Sequence, residues 1–598
     1  MDSGNISEQK EKVINGIAVS PGIAIGAALI IGREFSKVAE RSINAEEVDA
    51  QIEKFRDALE RTREQIFILQ QNLNDALKDK HASIFDAHLL ITQDKMLITE
   101  VEAAVRKELK NIDYIFFRTI KKYIAAIASM SDDYIRERVG DFKDVAARII
   151  ANMHGVSYNR FDNLPGQRII VAHELTPSDT ASLDRDNVLA FVTEVGSRTS
   201  HTAIMARSME IPAVLGIPAG ELDINNGDIV IVDGYKGLLI TNPKETTLEI
   251  YARRESREEE IHDEILKESS LRPETIDRFR IQLAANIEVP DDVEAAIKYG
   301  AAGIGLFRTE YLYINRTEPP GVEEQFQIYR TLLDKLDGYP VIVRTFDIGG
   351  DKLSTLLNDS PHIDPNPFLG CRAIRLHLDY PELLQNQIRA ILMASAYGNI
   401  KIMFPMITCL EELGQLLGLI ENEKRELDEN SIKFNRNIDI GVMIETPSAA
   451  IIADKLARKV DFFSIGTNDL VQYTLAVDRS NEKVAYLYQP AHPAILSLMK
   501  RVTEAAHNNG IWVSVCGEMA GDPRYIPLLI GMGIHELSMS SVSIGPVRRL
   551  IRRLYMHDSE KLLEEALQAS TADEILDLTE ALLYEIAPDI MSMAYLGE

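Results

Sequence analysis

The chain has 598 residues, of which 45% are hydrophobic and 26% charged, with a formal net charge of −28. That length exceeds a single core and predicts about three to five domains of ordinary globular composition, while so acidic a balance excludes general nucleic-acid binding and suits a basic protein partner. Membrane insertion and secretion are not expected: no apolar run approaches a membrane span, Met1-Asp2-Ser3-Gly4-Asn5 lacks a signal peptide's core, and Cys371, Cys409 and Cys516 show neither disulfide nor zinc spacing.

In chain order, Gly16–Gly26 reads as a strand, a turn and another strand. Asn44-Ala45-Glu46-Glu47 then has the form of a capping box. Beyond it Val48, Ile52, Phe55, Leu59, Ile66, Leu69 and Leu73 follow a 4/3 spacing broken by Thr62, which predicts a long helix with a coiled-coil-like seam. Helical patterns continue to about Met153, so residues 44–156 form an all-helical block. Strands are expected again at Arg168–Ala172, Val188–Glu194, Asp228–Val232 and Leu238–Thr241. The simplest organisation is an α/β domain of residues 1–43 and 157–248 with the helical block inserted, followed by a charged helical linker at 249–280 broken by Pro273.

Within that α/β domain, the strand ending at Glu194 runs into a Gly/Ser/Thr turn and a predicted helix from Thr202 to Met209 that Pro212 stops. Ser200-His201 falls at the helix start, where unpaired N–H groups and the dipole favour an anion such as a phosphoryl group on the imidazole. The longer run from Gly196 to Gly216, Gly-x-x-x-Ser-His-x-Ala-Ile-x-Ala-Arg-x-x-x-Ile-Pro-Ala-Val-x-Gly, resembles the phosphohistidine signature of enzymes that use phosphoenolpyruvate. Ser197 stands where that signature usually has the second of two glycines, and Ser adopts positive φ poorly.

From 281 to 598 the pattern is regular. Apolar runs at Ile281–Ile287, Gly303–Phe307, Val341–Thr345, Ile400–Met406, Ile440–Ile444, Val460–Ile465, Trp512–Val515 and Glu536–Met539 alternate with helical patterns at Asp291–Tyr299, Arg372–Ala396, Leu410–Leu427 and Pro493–His507. This alternation predicts a (β/α)8 barrel, although the count by itself also allows a doubly wound sheet. The strand ends are unusually polar: Arg308-Thr309-Glu310, Arg344 through Lys352, Glu445-Thr446-Pro447, Gly466-Thr467-Asn468-Asp469 and Cys516-Gly517-Glu518. In a barrel they would converge on one mouth. Arginine forks there match phosphate and carboxylate, Glu445 and Asp469 offer hard oxygens to Mg²⁺, and Cys516 stands where an acid could protonate carbon.

Together with Ser20-Pro21-Gly22, Gly305 to Glu310, Asn366-Pro367-Phe368-Leu369-Gly370 and Gly466 to Leu470, these motifs resemble the enzyme I family of the bacterial phosphoenolpyruvate–sugar phosphotransferase system over nearly the whole chain. The resemblance implies that His201 accepts the phosphoryl group. It also implies that Arg308, Arg344 and Arg479, helped by Asn468, Asp469 and Arg372, bind phosphoenolpyruvate. Glu445 and Asp469 would hold Mg²⁺, and Cys516 would be the proton donor. In the family the helical block, in which His88 occupies the matching place, docks the phosphocarrier protein HPr, and the barrel forms the homodimer; a cytoplasmic location follows. Dikinase and synthase relatives need an ATP-binding domain, and nitrogen-branch relatives an N-terminal sensory domain, and neither is visible in this sequence.

Overall fold

A computed structural model describes residues 10–31, 38–76, 88–128, 139–155, 166–175, 179, 187–196, 202–203, 206, 211–218, 224–313, 318–349, 366, 368–378, 380–479, 481 and 483–595. The chain divides into two compact units, one reaching to Glu260 and the other spanning Ile261–Ala594. Among the described residues no helix is long and apolar enough to cross a membrane.

The first unit contains an eight-stranded sheet in the order β1-β8-β7-β3-β4-β5-β6-β2. Its strands are β1 Lys12–Asn15, β2 Ile17–Ser20, β3 Ile23–Ile31, β4 Arg168–Ala172, β5 Val188–Thr193, β6 Ala213–Leu215, β7 Ile229–Asp233 and β8 Leu238–Thr241. Strands β3 to β6 run parallel, and the outer pairings are antiparallel. The central strands read as continuous apolar runs because both faces are covered. Ile169, Val171, Ala190 and Val192 pack on one side, and Ile170, Ala172 and Phe191 on the other. Strands β1 and β6 were not expected, being only four and three residues long.

Between β3 and β4 lie helices Val48–Ala76, Lys95–Glu108, Ile112–Ala128 and Val139–His154, which share a core of their own. The backbone N–H of Asn44 donates to the Glu47 carboxylate at 2.8 Å, as the capping motif predicts. Thr62, the break in the apolar seam, is fully buried. Its hydroxyl donates to the Ala58 carbonyl at 2.7 Å and accepts from Asn152 at 2.8 Å. The polar residue is thus accommodated by a partner on another helix rather than by solvent. Helix Glu245–Lys267 covers much of the expected charged linker and is followed by a 3₁₀ turn at Glu268–Ser270, just before Pro273.

The second unit is a closed barrel of parallel strands. They are β9 Gln282–Ile287, β10 Ile304–Arg308, β11 Val341–Arg344, β12 Ile400–Phe404, β13 Ile440–Ile444, β14 Phe462–Ile465, β15 Trp512–Val515 and β16 Glu536–Met539. Pairing of β16 with β9, from Glu536 opposite Gln282 to Met539 opposite Ala285, closes the cylinder and removes the doubly wound alternative. The helical pattern expected across Arg372–Ala396 is broken in the structure into a 3₁₀ segment, Ala373–Leu378, and a helix, Pro381–Ala394. Pro381 lacks the N–H that a continuous helix requires, and it disfavours helical geometry in the residue before it.

The barrel interior is filled by Leu306, Ile342, Met403, Met443, Phe462 and Cys516, with Trp512 packed against them. Phe462 fits because its strand partner is Gly441: a Cβ at that position would lie 2.3 Å from the ring. Replacing Gly441 by Ala is therefore expected to destabilise the barrel by about 1–3 kcal/mol through overpacking. Phe462→Leu in the same chain should recover part of that loss, as measured by denaturant unfolding of the single and double variants.

Candidate active site

Parallel strands all present their carboxyl ends at the same rim, so the residues that end them meet there. Arg308 and Arg344 are the last residues of β10 and β11, while Glu445 and Cys516 follow β13 and β15 directly. Asn468 and Asp469 lie in the first turn of helix Thr467–Leu475, just beyond β14. The structure brings these six residues together with Arg372 and Arg479 around one cavity of about 240 Å³. His201, with residues 197–200 before it, where a turn is expected, lies outside the described residues. Immediately after it, Thr202, Ala203 and Ala206 are helical, and both alanines are fully buried against the sheet face that holds Phe191 and Leu215. His88, in the helical block, is buried, with Nδ1 3.7 Å from Asp144 Oδ2, a place that gives a docking partner no access to its ring.

Asp347 organises the cavity, and the sequence motifs contained it without assigning it a role. It accepts from Arg372 Nε at 2.8 Å and from Nη2 at 2.6 Å, a two-point fork, and lies 3.5 Å from Arg344 Nη1. Burial alone would raise Asp347, but the guanidiniums of Arg344 and Arg372 outweigh it and hold the carboxyl below the ordinary carboxylate range. Glu310, also quoted without a role, accepts from Arg344 Nη2 at 2.9 Å and from the Asp347 backbone N–H at 2.8 Å. Arg372 further donates to the Tyr473 hydroxyl at 3.0 Å, so its fork is committed to protein partners. The sequence signal for Asp347 was its place three residues beyond the arginine that ends β11.

Two features make the cavity receptive to an anion. Arg344 Nε is buried without a hydrogen-bond partner among the described residues. Arg308, whose Nη1 is 3.2 Å from Glu288, is pulled below its ordinary value by burial and then by the nearby charge of Arg344. An anion between these guanidiniums would relieve both penalties. Asn468 is fixed by the Glu518 backbone N–H, which donates to its Oδ1 at 2.9 Å.

Glu445 and Cys516 have environments that favour the protonated form. Burial, followed by the charges of Asp469 and Asp347, pushes Glu445 well above the ordinary carboxylate range, although Met406 N–H donates to its Oε1 at 2.6 Å. Two carboxylates that repel each other on one wall, each with oxygens of hard character, suit a divalent cation. Among the described residues no group of three or more His, Cys, Asp and Glu side chains forms a metal cage, so a cation here would take its remaining ligands from water and substrate. Cys516 is buried, and its thiol is pushed up to about 11, chiefly by burial. It is therefore a thiol at neutral pH and able to donate a proton.

A (β/α)8 barrel with guanidiniums, paired carboxylates and a protonated thiol at its carboxyl rim defines an enzyme that handles a phosphorylated or carboxylated anion. Residues 263–556 match the family model described as PEP-utilising enzyme, PEP-binding domain. Residues 15–138 match its N-terminal model, and residues 164–237 its mobile-domain model. A phosphoenolpyruvate-protein phosphotransferase of Bacillus sp. (strain S) is 44% identical over 95% of this chain and 97% of its own length. Its namesake in Haemophilus influenzae is 41% identical over 96% of this chain and 99% of its own. An NMR solution structure of an Enzyme I protein is 41% identical, covering 41% of this chain and 99% of that one, with a TM-score of 0.36. The chain belongs to the phosphoenolpyruvate-protein phosphotransferase family.

The thiol environment gives a direct test. Cys371 and Cys409 are partly exposed, whereas Cys516 is buried and raised to about 11, leaving about one thiolate in a thousand at pH 8. Iodoacetamide at that pH should carboxamidomethylate Cys371 and Cys409 and spare Cys516, as read by peptide mass mapping.

Proposed function

We propose that this enzyme takes the phosphoryl group of phosphoenolpyruvate onto His201 and passes it to the phosphocarrier protein HPr, starting sugar phosphotransfer. The observation that carries the barrel's part is the convergence of Arg308, Arg344 and Arg479 with a buried protonated thiol on one cavity. The guanidiniums and Asn468 hold the phosphate and carboxylate of the substrate, while Arg372, committed to Asp347 and Tyr473, fixes the rim from behind. An imidazole nitrogen of His201 attacks phosphorus in line; the N–P bond forms as the bond to the enol oxygen breaks. The enolate then takes a proton from the Cys516 thiol at its methylene carbon, giving pyruvate, and the thiolate recovers a proton from solvent.

Glu445 and Asp469 would hold Mg²⁺, which when bound supplies neutralising charge for the transferring phosphoryl group. The same reading makes residues 1–43 with 157–248 the phosphohistidine domain, 44–156 the HPr-docking block, 249–280 a linker, and 281–598 the substrate-binding and dimerising domain. Because His201 and the cavity residues belong to different units, and HPr is a folded protein, the histidine must meet its two partners in different arrangements of the chain. A second copy of the barrel and a cytoplasmic location complete the proposal; sedimentation velocity tests the dimer.

Incubation with ³²P-labelled phosphoenolpyruvate, Mg²⁺ and purified HPr should move label through the chain to HPr. His201→Ala should take up no acid-labile label, and persistent label on that variant would reassign the acceptor. Cys516→Ala should slow pyruvate formation by about 10²-fold or more, the usual scale of general acid catalysis, while substrate binding stays near its original strength. Unchanged turnover would reduce Cys516 to a packing residue.

A further inference from the structure

The amino-terminal end of the barrel holds a second cavity, of about 620 Å³, bounded by the starts of β9, β10, β12, β15 and β16. In (β/α)8 barrels chemistry gathers at the carboxyl rim, and the opposite end serves stability. An opening of this size lies instead within the range of small-molecule pockets, about 300–1,000 Å³. The apolar cluster of the barrel contributes to both ends: Leu306, Met443 and Cys516 line the upper cavity, and Ile342 and Trp512 the lower one.

The lower cavity is built with polar groups that the proposed reaction does not use. Glu536, the first residue of β16, is buried, and its Oε1 has no hydrogen-bond partner among the described residues. That oxygen lies 2.8 Å from where a Cβ on Gly305 would be, so the absent side chain makes room for it. Burial lifts Glu536 to about 7 against the opposing charge of Lys401. Lys401 stands 2.5 Å from Asp439 and 5.1 Å from the centre of the Trp512 ring, whose other neighbour, Phe462, is stacked at 4.6 Å. His535 is held below its ordinary value by burial and by His507, so it is neutral at neutral pH. Arg272 and Arg280 are exposed at the mouth, the latter 3.4 Å from Glu274. The lining thus carries three cations, of which Lys401 is paired with Asp439 and Arg280 with Glu274, beside Glu536, a carboxyl only partly ionised.

We propose that this cavity binds a small organic carboxylate that has an apolar body and a second oxygen acceptor. Its carboxylate meets Arg272 and Arg280 at the mouth, its body lies along Trp512 and Ile342, and its inner oxygen accepts a hydrogen bond from the protonated carboxyl of Glu536. Positive charge outside, apolar walls between and one unsatisfied donor at depth complement those three parts in order. Ionised Glu536 would repel the same oxygen, so binding weakens as pH rises through about 7.

Trp512 is the only tryptophan in the chain, so its fluorescence reports from the wall of this cavity. Full-length protein titrated with 4-methoxybenzoate should show a saturable change in that emission, matched by saturation-transfer NMR on the ligand ring. Saturating phosphoenolpyruvate should leave it unaltered. Arg280→Ala and Arg272→Ala should each weaken binding by about tenfold, and 4-ethylbenzoate, which lacks the inner oxygen, should bind less tightly. Affinity of the unaltered protein should fall between about pH 6 and about pH 8.5, whereas Glu536→Gln, which keeps a donor, should flatten that dependence. Absence of a saturable signal, displacement by phosphoenolpyruvate, or equal affinity in the arginine variants would overturn the proposal.

Discussion

The three-way ion pair of Asp347 with Arg344 and Arg372 sets the shape of the barrel mouth, because the Asp347 side chain is 2% exposed and the two arginine side chains 12% and 11%, so each group depends mainly on the others for its partners. Asp347 is held ionised by the two guanidiniums, and they in turn are kept charged against burial by Asp347 and its acidic neighbours. Removing one member of such a group leaves a buried charge uncompensated, which costs about 3–5 kcal/mol in proteins. The consequence for the site is order. Arg372 is spent on holding Asp347 and Tyr473, while the buried Nε of Arg344 has no hydrogen-bond partner among the described residues. Around this frame Arg308, Arg344 and Arg479 face one cavity, and the Arg344 Nε, without a partner among the described residues, suits that cavity to an anion.

Barrel closure gives the two ends different characters from one set of strands. At the carboxyl rim, residues that follow the strands arrive on loops and first helical turns, where Asn468, Asp469 and Cys516 face a shared space. At the amino end the side chains of the strands themselves form the wall, and Trp512, Lys401 and Glu536 face inward there. Between them, apolar packing is close enough that Gly441 is required opposite Phe462. The thiol of Cys516 sits where that packing meets the upper cavity, and burial there is the main cause of its raised value, with the charge of Glu445 adding to it.

Legibility in the sequence followed the strength of local pattern. Strands β12 to β16 stood out because parallel strands buried on both faces are mainly apolar runs, broken here only by Lys401, Ser464, Ser514, Glu536 and Ser538, and their observed limits fall within the expected ones. The long helix Val48–Ala76 stood out by its seam, and even its defect at Thr62 became intelligible once Asn152 was seen to supply the missing partner. Strands β1 and β6 were missed because so few residues carry no period. Asp347 and Glu310 were visible as residues but not as roles, since their importance lies in partners on other strands and loops.

What the sequence by itself determined is chemistry and alternation: an extended phosphohistidine-like signature, eight apolar runs with polar endings, and an acidic surface. These are properties of neighbouring residues, and motif and periodicity encode them directly. Only the tertiary structure decided that the eight runs close into a cylinder, because that rests on β16 pairing with β9 across about half the chain. Closure then determined which charges face each other, that Arg372 supports the rim through Asp347, that His88 is buried beside Asp144, and that a second polar cavity opens at the far end. Each of these depends on residues far apart in sequence, whose energies are set by distance and burial, quantities that no local pattern contains.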